Sequence, residues 1–142
     1  MQGLPNTPNA VVIRTDFGNQ LAWKKICKLI RAPVPAFGDA FYANVEFIDD
    51  ADFRNLSLEE LLTRVPSDYN QTFLFVVDDV TISAPDFPIL IVDLRAERGR
   101  SFRAIPGQVQ SIENNLSIAN RSFFEFADNV DQDGIFRGFP QP

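Results

Sequence analysis

The chain contains no histidine and a single cysteine, and both shortages narrow the chemistry open to its 142 residues. Without histidine there is no Ser-His-Asp or Cys-His catalytic pair and no histidine-bearing zinc site. One cysteine excludes an internal disulfide and a cysteine-rich zinc site, and this cysteine usage favours a cytoplasmic protein. Any catalysis would have to rely on carboxylates, Lys, Arg, Tyr or a metal held by carboxylates.

Long apolar runs and phosphate-binding glycine loops are also missing from the sequence. A membrane-spanning helix needs roughly 18 or more apolar residues, so we expect no membrane segment. The absence of a glycine loop argues against a nucleotide cofactor, and we expect no cofactor, with Mg2+ as the alternative. Residues 1–9 lack a basic region and a long apolar stretch, so a secretory signal is not expected. Their two prolines and two asparagines predict a loosely held N-terminal arm.

Positive charge is in short supply as well, because 19 acidic residues outnumber 13 basic ones and the net charge is −6. Nucleic acid is therefore not expected as a ligand, since phosphate contacts need clustered Lys and Arg. The negative charge permits a basic protein partner, whose approach it would speed. Plain solubility is the simpler explanation of the same charge.

What is present predicts an α/β protein with one layered domain over residues 1–142. Apolar and alternating runs predict strands at 10–15, 40–48, 72–77, 89–94 and 101–105. Helical spacing and capping boxes predict helices at 20–31, after Ser57, at 108–114 and at 123–129. The expected order is β-α-β-α-β-β-β-α-α, with helices packed on a mixed central sheet of about five strands. The first strands should pair in parallel and the last ones antiparallel.

Acidic side chains follow several predicted strands, at Asp16, Asp49, Asp50, Asp78 and Asp79. Ligands of open α/β sheets bind beyond the carboxyl ends of parallel strands, where carboxylates could hold Mg2+. One hypothesis is therefore a metal site formed by Asp16, Asp78 and Asp79. A second hypothesis is a partner-binding surface that includes Asp49, Asp50, Asp78 and Asp79. Aspartate is also a common turn and helix-start residue, which leaves a purely structural role open.

The segment from Glu113 to Asn120 is rich in amides, with Asn114, Asn115 and Asn120 close together. These side chains could offer paired donors and acceptors to a partner. Alternatively, they cap the helix before them and open the helix after them. We expect either partner binding or capping from these three asparagines.

The motif Glu113-Asn-Asn-Leu-Ser-Ile-Ala-Asn120, together with shorter segments along nearly the whole chain, resembles a bacterial domain family of unknown function. Among the shorter segments are Val12-Ile-Arg-Thr-Asp-Phe17 and Thr72-Phe-Leu-Phe-Val-Val-Asp78. No activity and no catalytic residues follow from this resemblance.

The sequence therefore favours a small acidic protein-interaction module without enzymatic activity, of which an immunity or antitoxin-like protein is one form. The alternative is an enzyme that uses a carboxylate-held Mg2+ on a phosphate-containing small molecule. Nothing in the sequence predicts the oligomeric state.

Overall fold

Residues 3–139, the part of the chain that the computed structural model describes, form eight strands and five α-helices. The strands are β1 (Ala10–Arg14), β2 (Val34–Ala36), β3 (Asp39–Phe41), β4 (Val45–Ile48), β5 (Phe73–Val77), β6 (Ile89–Asp93), β7 (Ser101–Ala104) and β8 (Ile135–Phe136). The α-helices are α1 (Gln20–Arg31), α2 (Leu58–Thr63), α3 (Asp79–Ser83), α4 (Val109–Ser117) and α5 (Phe123–Ala127).

The described residues form a six-stranded mixed sheet in the spatial order β4-β1-β5-β6-β7-β8. Strand β1 pairs in parallel with β4 on one side and with β5 on the other. Strands β5, β6 and β7 then follow one another antiparallel, and β8 adds to β7 in parallel. The predicted α/β class, the parallel first strands and the antiparallel later ones are confirmed. The sixth strand, β8, comes from the C-terminal tail and was not predicted from the sequence.

The two faces of the sheet carry separate apolar cores because alternate strand residues point to opposite sides. Val12 of β1 belongs to the larger core, together with side chains from α1, α4 and α5. Its neighbours Val11 and Ile13 belong to the smaller core, to which α2 contributes Leu61. Three helices therefore cover one face, whereas the short helix α2 and loops cover the other.

Rings of phenylalanine fill the larger core where the last strands meet α5. The Phe102 ring lies 5.1 Å from that of Phe123 and 6.5 Å from that of Phe126. Phe136 of β8 packs edge-on against Phe126 at 5.2 Å. Aromatic pairs of this kind add about 0.5–1.5 kcal/mol to the energy of burial. They fix the tail strand against the sheet.

The sequence-based prediction of one continuous strand over 40–48 is wrong, because residues 42–44 interrupt it. Residues 34–41 instead form a separate hairpin of β2 and β3, and β4 begins only at Val45. Phe37 and Gly38 make the hairpin turn with φ values of 54° and 77°. Such left-handed pairs match the twist of a two-residue hairpin loop. Helix α3 was also not predicted, because Val80, Thr81 and Ile82 are β-branched residues that disfavour helices.

The described residues of the N-terminal arm contact the body of the fold. Leu4 is buried in the smaller core, and its backbone N–H donates to the Arg64 carbonyl at 2.8 Å. The Asn6 side chain accepts from the Asn70 N–H at 2.9 Å. Residues 1 and 2 of the predicted arm lie outside the described residues. No helix within residues 3–139 has the length and apolar character that crossing a membrane would require.

Candidate functional site

A cavity of about 620 Å³ opens between α2 and the carboxyl ends of β1 and β5, and we call it the carboxyl-edge cleft. Strand order reverses here, because the chain runs from β1 to β4 on one side and returns to β5 on the other. Open α/β sheets bind their ligands at such switch points. The polar residues that line the cleft are Thr15, Asp16, Asn55, Ser57, Asp78, Asp79, Ser101 and Arg103.

The cleft exists because α2 is too short to cover its face of the sheet. Six residues at about 1.5 Å each span roughly 9 Å, about the width of two paired strands. Beyond the helix, the cleft extends over Leu90 of β6 and over Ser101 and Arg103 of β7. The apolar walls of the cleft come from α2, through Leu58 and Leu61, and from the sheet, through Val76 and Leu90.

The loop that leads into α2 is held at the end of β1 by a backbone contact. Asn55 donates its N–H to the Thr15 carbonyl at 2.8 Å and adopts a φ of 59°. Asparagine tolerates this left-handed conformation better than most residues. Two residues later, the Ser57 hydroxyl accepts from the Glu60 N–H, which confirms the predicted capping box. These contacts fix one wall of the cleft.

Asp78 forms the strongest polar contact in the cleft, a two-pronged ion pair with Arg103. Its Oδ1 accepts from Nη1 at 2.9 Å and its Oδ2 from Nη2 at 2.7 Å. Side-chain exposure is only 19% for Asp78 and 21% for Arg103. Oδ1 also accepts from the N–H of Thr81 at 3.1 Å and thereby caps α3. Asp78 is therefore fully engaged within the fold.

The pKa of Asp78 reflects a competition between burial and these contacts. Burial alone would raise the pKa of the carboxyl, because it penalises the charged form. Hydrogen bonds from Arg103 and from the Thr81 N–H, together with the guanidinium charge, outweigh burial and lower the pKa. Asp78 consequently stays ionised and keeps Arg103 in place.

Asp16 and Asp79 supply the remaining negative charge of the cleft. Asp16 accepts from the Gly18 N–H through Oδ1 at 2.7 Å. Asp79 is exposed at the first position of α3, and no residue within 3–139 donates to its carboxylate. Both side chains therefore retain carboxylate oxygens that can accept from a ligand.

The three carboxylates that the sequence singled out as metal ligands thus line one cleft but do not form a ligand set. Within residues 3–139 no group of three or more Cys, Asp or Glu side chains is arranged to hold a metal ion. The Arg103 guanidinium occupies both oxygens of Asp78 and adds a positive charge that would repel a cation. The Mg2+ site at Asp16, Asp78 and Asp79 remains a prediction without support from the donor geometry.

Asp49 and Asp50 follow β4 at the same edge of the sheet but do not line the cleft. Asp49 accepts from the buried Arg14 at 3.2 Å, and its side chain remains 45% exposed. Arg14 lies over the Phe17 ring, 4.4 Å from its centroid. Asp50 accepts from the Asp52 N–H and starts a short 3₁₀ turn. A role of Asp49 and Asp50 in partner binding stays a prediction.

The asparagines of the amide-rich segment hydrogen-bond to other groups of the chain. Asn114 donates to the Tyr42 carbonyl at 3.1 Å, and Asn115 donates to the Ser111 carbonyl at 2.8 Å. Asn120 donates to the Asn115 side chain at 2.7 Å. None of these three side-chain bonds caps a helix end, since α4 ends at its C-cap Ile118 and α5 begins after its N-cap Ser122. Partner binding by the three asparagines stays a prediction.

Arg103 is the residue of the cleft that the sequence analysis missed. It lies 25 residues after Asp78 in the chain, and the pairing of β5, β6 and β7 brings the two together. The available signal was the alternation in β7, where Ser101 and Arg103 occupy the face opposite to Phe102 and Ala104. Two polar residues on the α2 face of a strand indicate that this face is not fully covered.

Residues 9–139 match the model of DUF6924, a domain of unknown function, and the chain belongs to this family. The resemblance noted in the sequence is confirmed at the level of the family. A search among curated proteins finds no match.

Proposed function

We propose that this member of DUF6924 is a binding module without enzymatic activity, which captures a basic segment of a partner protein in the carboxyl-edge cleft. The observation that carries the proposal is the charge of the cleft, where three carboxylates face one guanidinium. The cleft thus has two negative charges in excess, in a protein whose net charge is −6. Complementary charge both speeds association and selects partners of the opposite sign.

The two excess charges belong to Asp16 and Asp79, because Asp78 is neutralised by Arg103. A Lys or Arg side chain of the partner would bind these two carboxylates through charge-assisted hydrogen bonds. The stem of such a side chain is apolar and would pack on Leu58, Val80 and Leu90, which line the same cleft. The cleft therefore offers contacts both to the charged group and to the apolar stem of a basic side chain.

The finer form of this proposal is an immunity or antitoxin-like protein of the bacterial cytoplasm. A small acidic protein suits that role because fast, electrostatically guided capture lets it block a basic target at low concentration. Cys27 is consistent with a reducing compartment, since it is a free and buried thiol. Burial raises the pKa of this thiol to about 11, so it is not a reactive nucleophile.

Selection from a library of short displayed peptides tests the proposal without a known partner. We expect the wild-type protein to enrich peptides that contain Lys or Arg next to apolar residues. The double variant Asp16→Asn/Asp79→Asn should bind those peptides about five- to thirty-fold more weakly, as the loss of two partly exposed ion pairs predicts.

Asp68→Asn/Asp133→Asn is the matched control, because it removes the same charge from exposed positions outside the cleft. Its affinity for the selected peptides should stay within about twofold of wild type. Equal losses in both double variants would mean that only the net charge matters, and the proposal would fail. Enrichment of peptides without basic residues would overturn it as well.

A further inference from the structure

A second groove lies at the opposite edge of the sheet, where the parallel strands begin. Asn9 precedes β1, Asn44 precedes β4 and Thr72 precedes β5, and all three line a cavity of about 550 Å³. An adjoining cavity of about 300 Å³ shares Phe73 and Arg95 with it. We call the two together the amino-edge groove.

The wall of the amino-edge groove is built around the buried carboxylate of Glu113, whose exposure is 3%. Glu113 accepts from the Asn44 N–H at 2.6 Å and from the Ser117 hydroxyl at 2.6 Å. It also accepts from the Asn114 side chain at 2.7 Å. These bonds join the start of β4 to α4, so the groove has a fixed shape before any ligand arrives. Such preorganisation lowers the entropic cost of binding.

Polar groups with no partner within residues 3–139 line this groove. The side-chain amides of Asn9 and Asn44 form no hydrogen bond there, and neither does the Arg95 guanidinium. A side-chain amide offers both a donor and an acceptor, as a peptide group requires. A guanidinium offers parallel donors that match a carboxylate.

The adjoining cavity adds an apolar recess next to Arg95. Phe73, Leu116, Ala119 and Phe123 form the apolar part of its lining. The cavity is also lined by Thr72, Asp93, Arg121 and Ser122. Ala119 adopts a φ of 56°, a left-handed conformation that an alanine reaches only at a cost of roughly 1–2 kcal/mol. Glycine would adopt this conformation without strain, and the alanine adds a methyl group to the lining of the recess.

We propose that the amino-edge groove binds a peptide segment that ends in a free carboxylate. Arg95 binds the carboxylate, the amides of Asn9 and Asn44 pair with peptide groups, and the recess at Ala119 accepts an apolar side chain. Glu113 is a positioning residue, since its oxygens are already occupied. The groove and the carboxyl-edge cleft lie at opposite edges of the sheet, so this proposal does not depend on the one for the cleft.

Titration of ¹⁵N-labelled protein with acetyl-Ala-Ala-Leu tests the proposal, with the peptide used as the free acid and as the C-terminal amide. We expect the acid to shift the backbone amide signals of Gln71, Thr72, Arg95 and Ala119 in a saturable way. The amide should bind about tenfold more weakly. Equal affinity of the two peptides, or shifts confined to other regions, would overturn the proposal.

Arg95→Gln should abolish the preference for the acid over the amide, while Lys24→Gln on the exposed face of α1 removes the same charge and should keep it. An unchanged preference in Arg95→Gln would contradict the role of Arg95. Acetate provides the remaining arm of the test. If acetate binds as tightly as the peptide acid, the groove recognises a small carboxylate, and the peptide assignment is wrong.

Discussion

Asp78→Asn offers the most direct test of how the cleft is held together. Asparagine keeps a side-chain oxygen that can accept from the Thr81 N–H, so the cap of α3 survives. The variant removes the charge that faces Arg103 and leaves a guanidinium that is only about one-fifth exposed. It therefore isolates the ion pair from the other contacts of Asp78.

The expected loss of unfolding free energy lies between the values known for fully buried and for exposed ion pairs. Breaking a fully buried ion pair by removing one partner costs about 3–5 kcal/mol, whereas an exposed pair contributes about 0.2–1 kcal/mol. The Asp78–Arg103 pair is largely buried and two-pronged, so we expect the free energy of unfolding to fall by about 2–3 kcal/mol at pH 7. Urea unfolding of both proteins measures this difference directly.

The loss should also depend on pH in a defined direction. The pKa of Asp78 is lowered in the folded protein, so its ionised form stabilises the fold above the unfolded pKa, which is about 3.9 for aspartate. That contribution disappears as the pH falls through the lowered pKa. The difference between wild type and Asp78→Asn should therefore be largest near neutral pH and shrink below about pH 4.

Asp86→Asn is the matched control, because Asp86 pairs with Arg137 at 2.6 Å while both side chains are about 40% exposed. An exposed pair of this kind should contribute at most about 1 kcal/mol. If Asp78→Asn lost no more stability than the control, the ion pair would not hold the cleft. A large loss that stayed constant down to pH 3 would equally refute the reasoning, since it could not come from the charge of Asp78.

Two further substitutions should stabilise the protein. Tyr69→Phe removes a buried hydroxyl that has no hydrogen-bond partner among the described residues, and whose pKa burial raises to about 12. We expect about 1 kcal/mol of added stability in urea unfolding, and a loss instead would reveal an undetected partner of the hydroxyl. Phe37→Asn places a turn-forming residue at a φ of 54° where the phenylalanine ring is fully exposed. Its Tm should rise by about 2–4 °C, and a fall would mean that the ring stabilises the hairpin.

Much of the fold could be predicted because its central signals are local. The five residues of β1 and of β5 are buried without exception, and all of them except Arg14 are apolar, so the two strands give nearly continuous apolar runs. Each capping box spans only four residues, and the boxes that begin at Ser57 and Ser122 mark the starts of α2 and α5. The hairpin of β2 and β3 was missed because Pro33 and Pro35 suggest a linker. A two-stranded hairpin tolerates proline where no N–H is needed for pairing.

The candidate site could be predicted only in part, since it depends on contacts between distant segments. Strand ends gather at one edge of a parallel sheet whatever the loops contain, so the shared location of Asp16 and Asp78 followed from topology. The register of β6 and β7 decides whether an arginine reaches Asp78, and no local pattern encodes that register. For this reason the sequence suggested a metal site where the structure has an ion pair.

Arg103 determines what the carboxyl-edge cleft can bind. Without it, three carboxylates in one cleft would repel each other, and a cation would be needed to relieve the repulsion. With it, Asp78 is neutralised inside the fold, and the negative charge that remains belongs to Asp16 and Asp79 at the mouth of the cleft. A guanidinium cannot be exchanged for solvent as a bound metal can, so the cleft keeps this charge at every salt composition that leaves the fold intact. Asp16 and Asp79 are therefore the two carboxylates to which we assign the basic peptide in the proposed function.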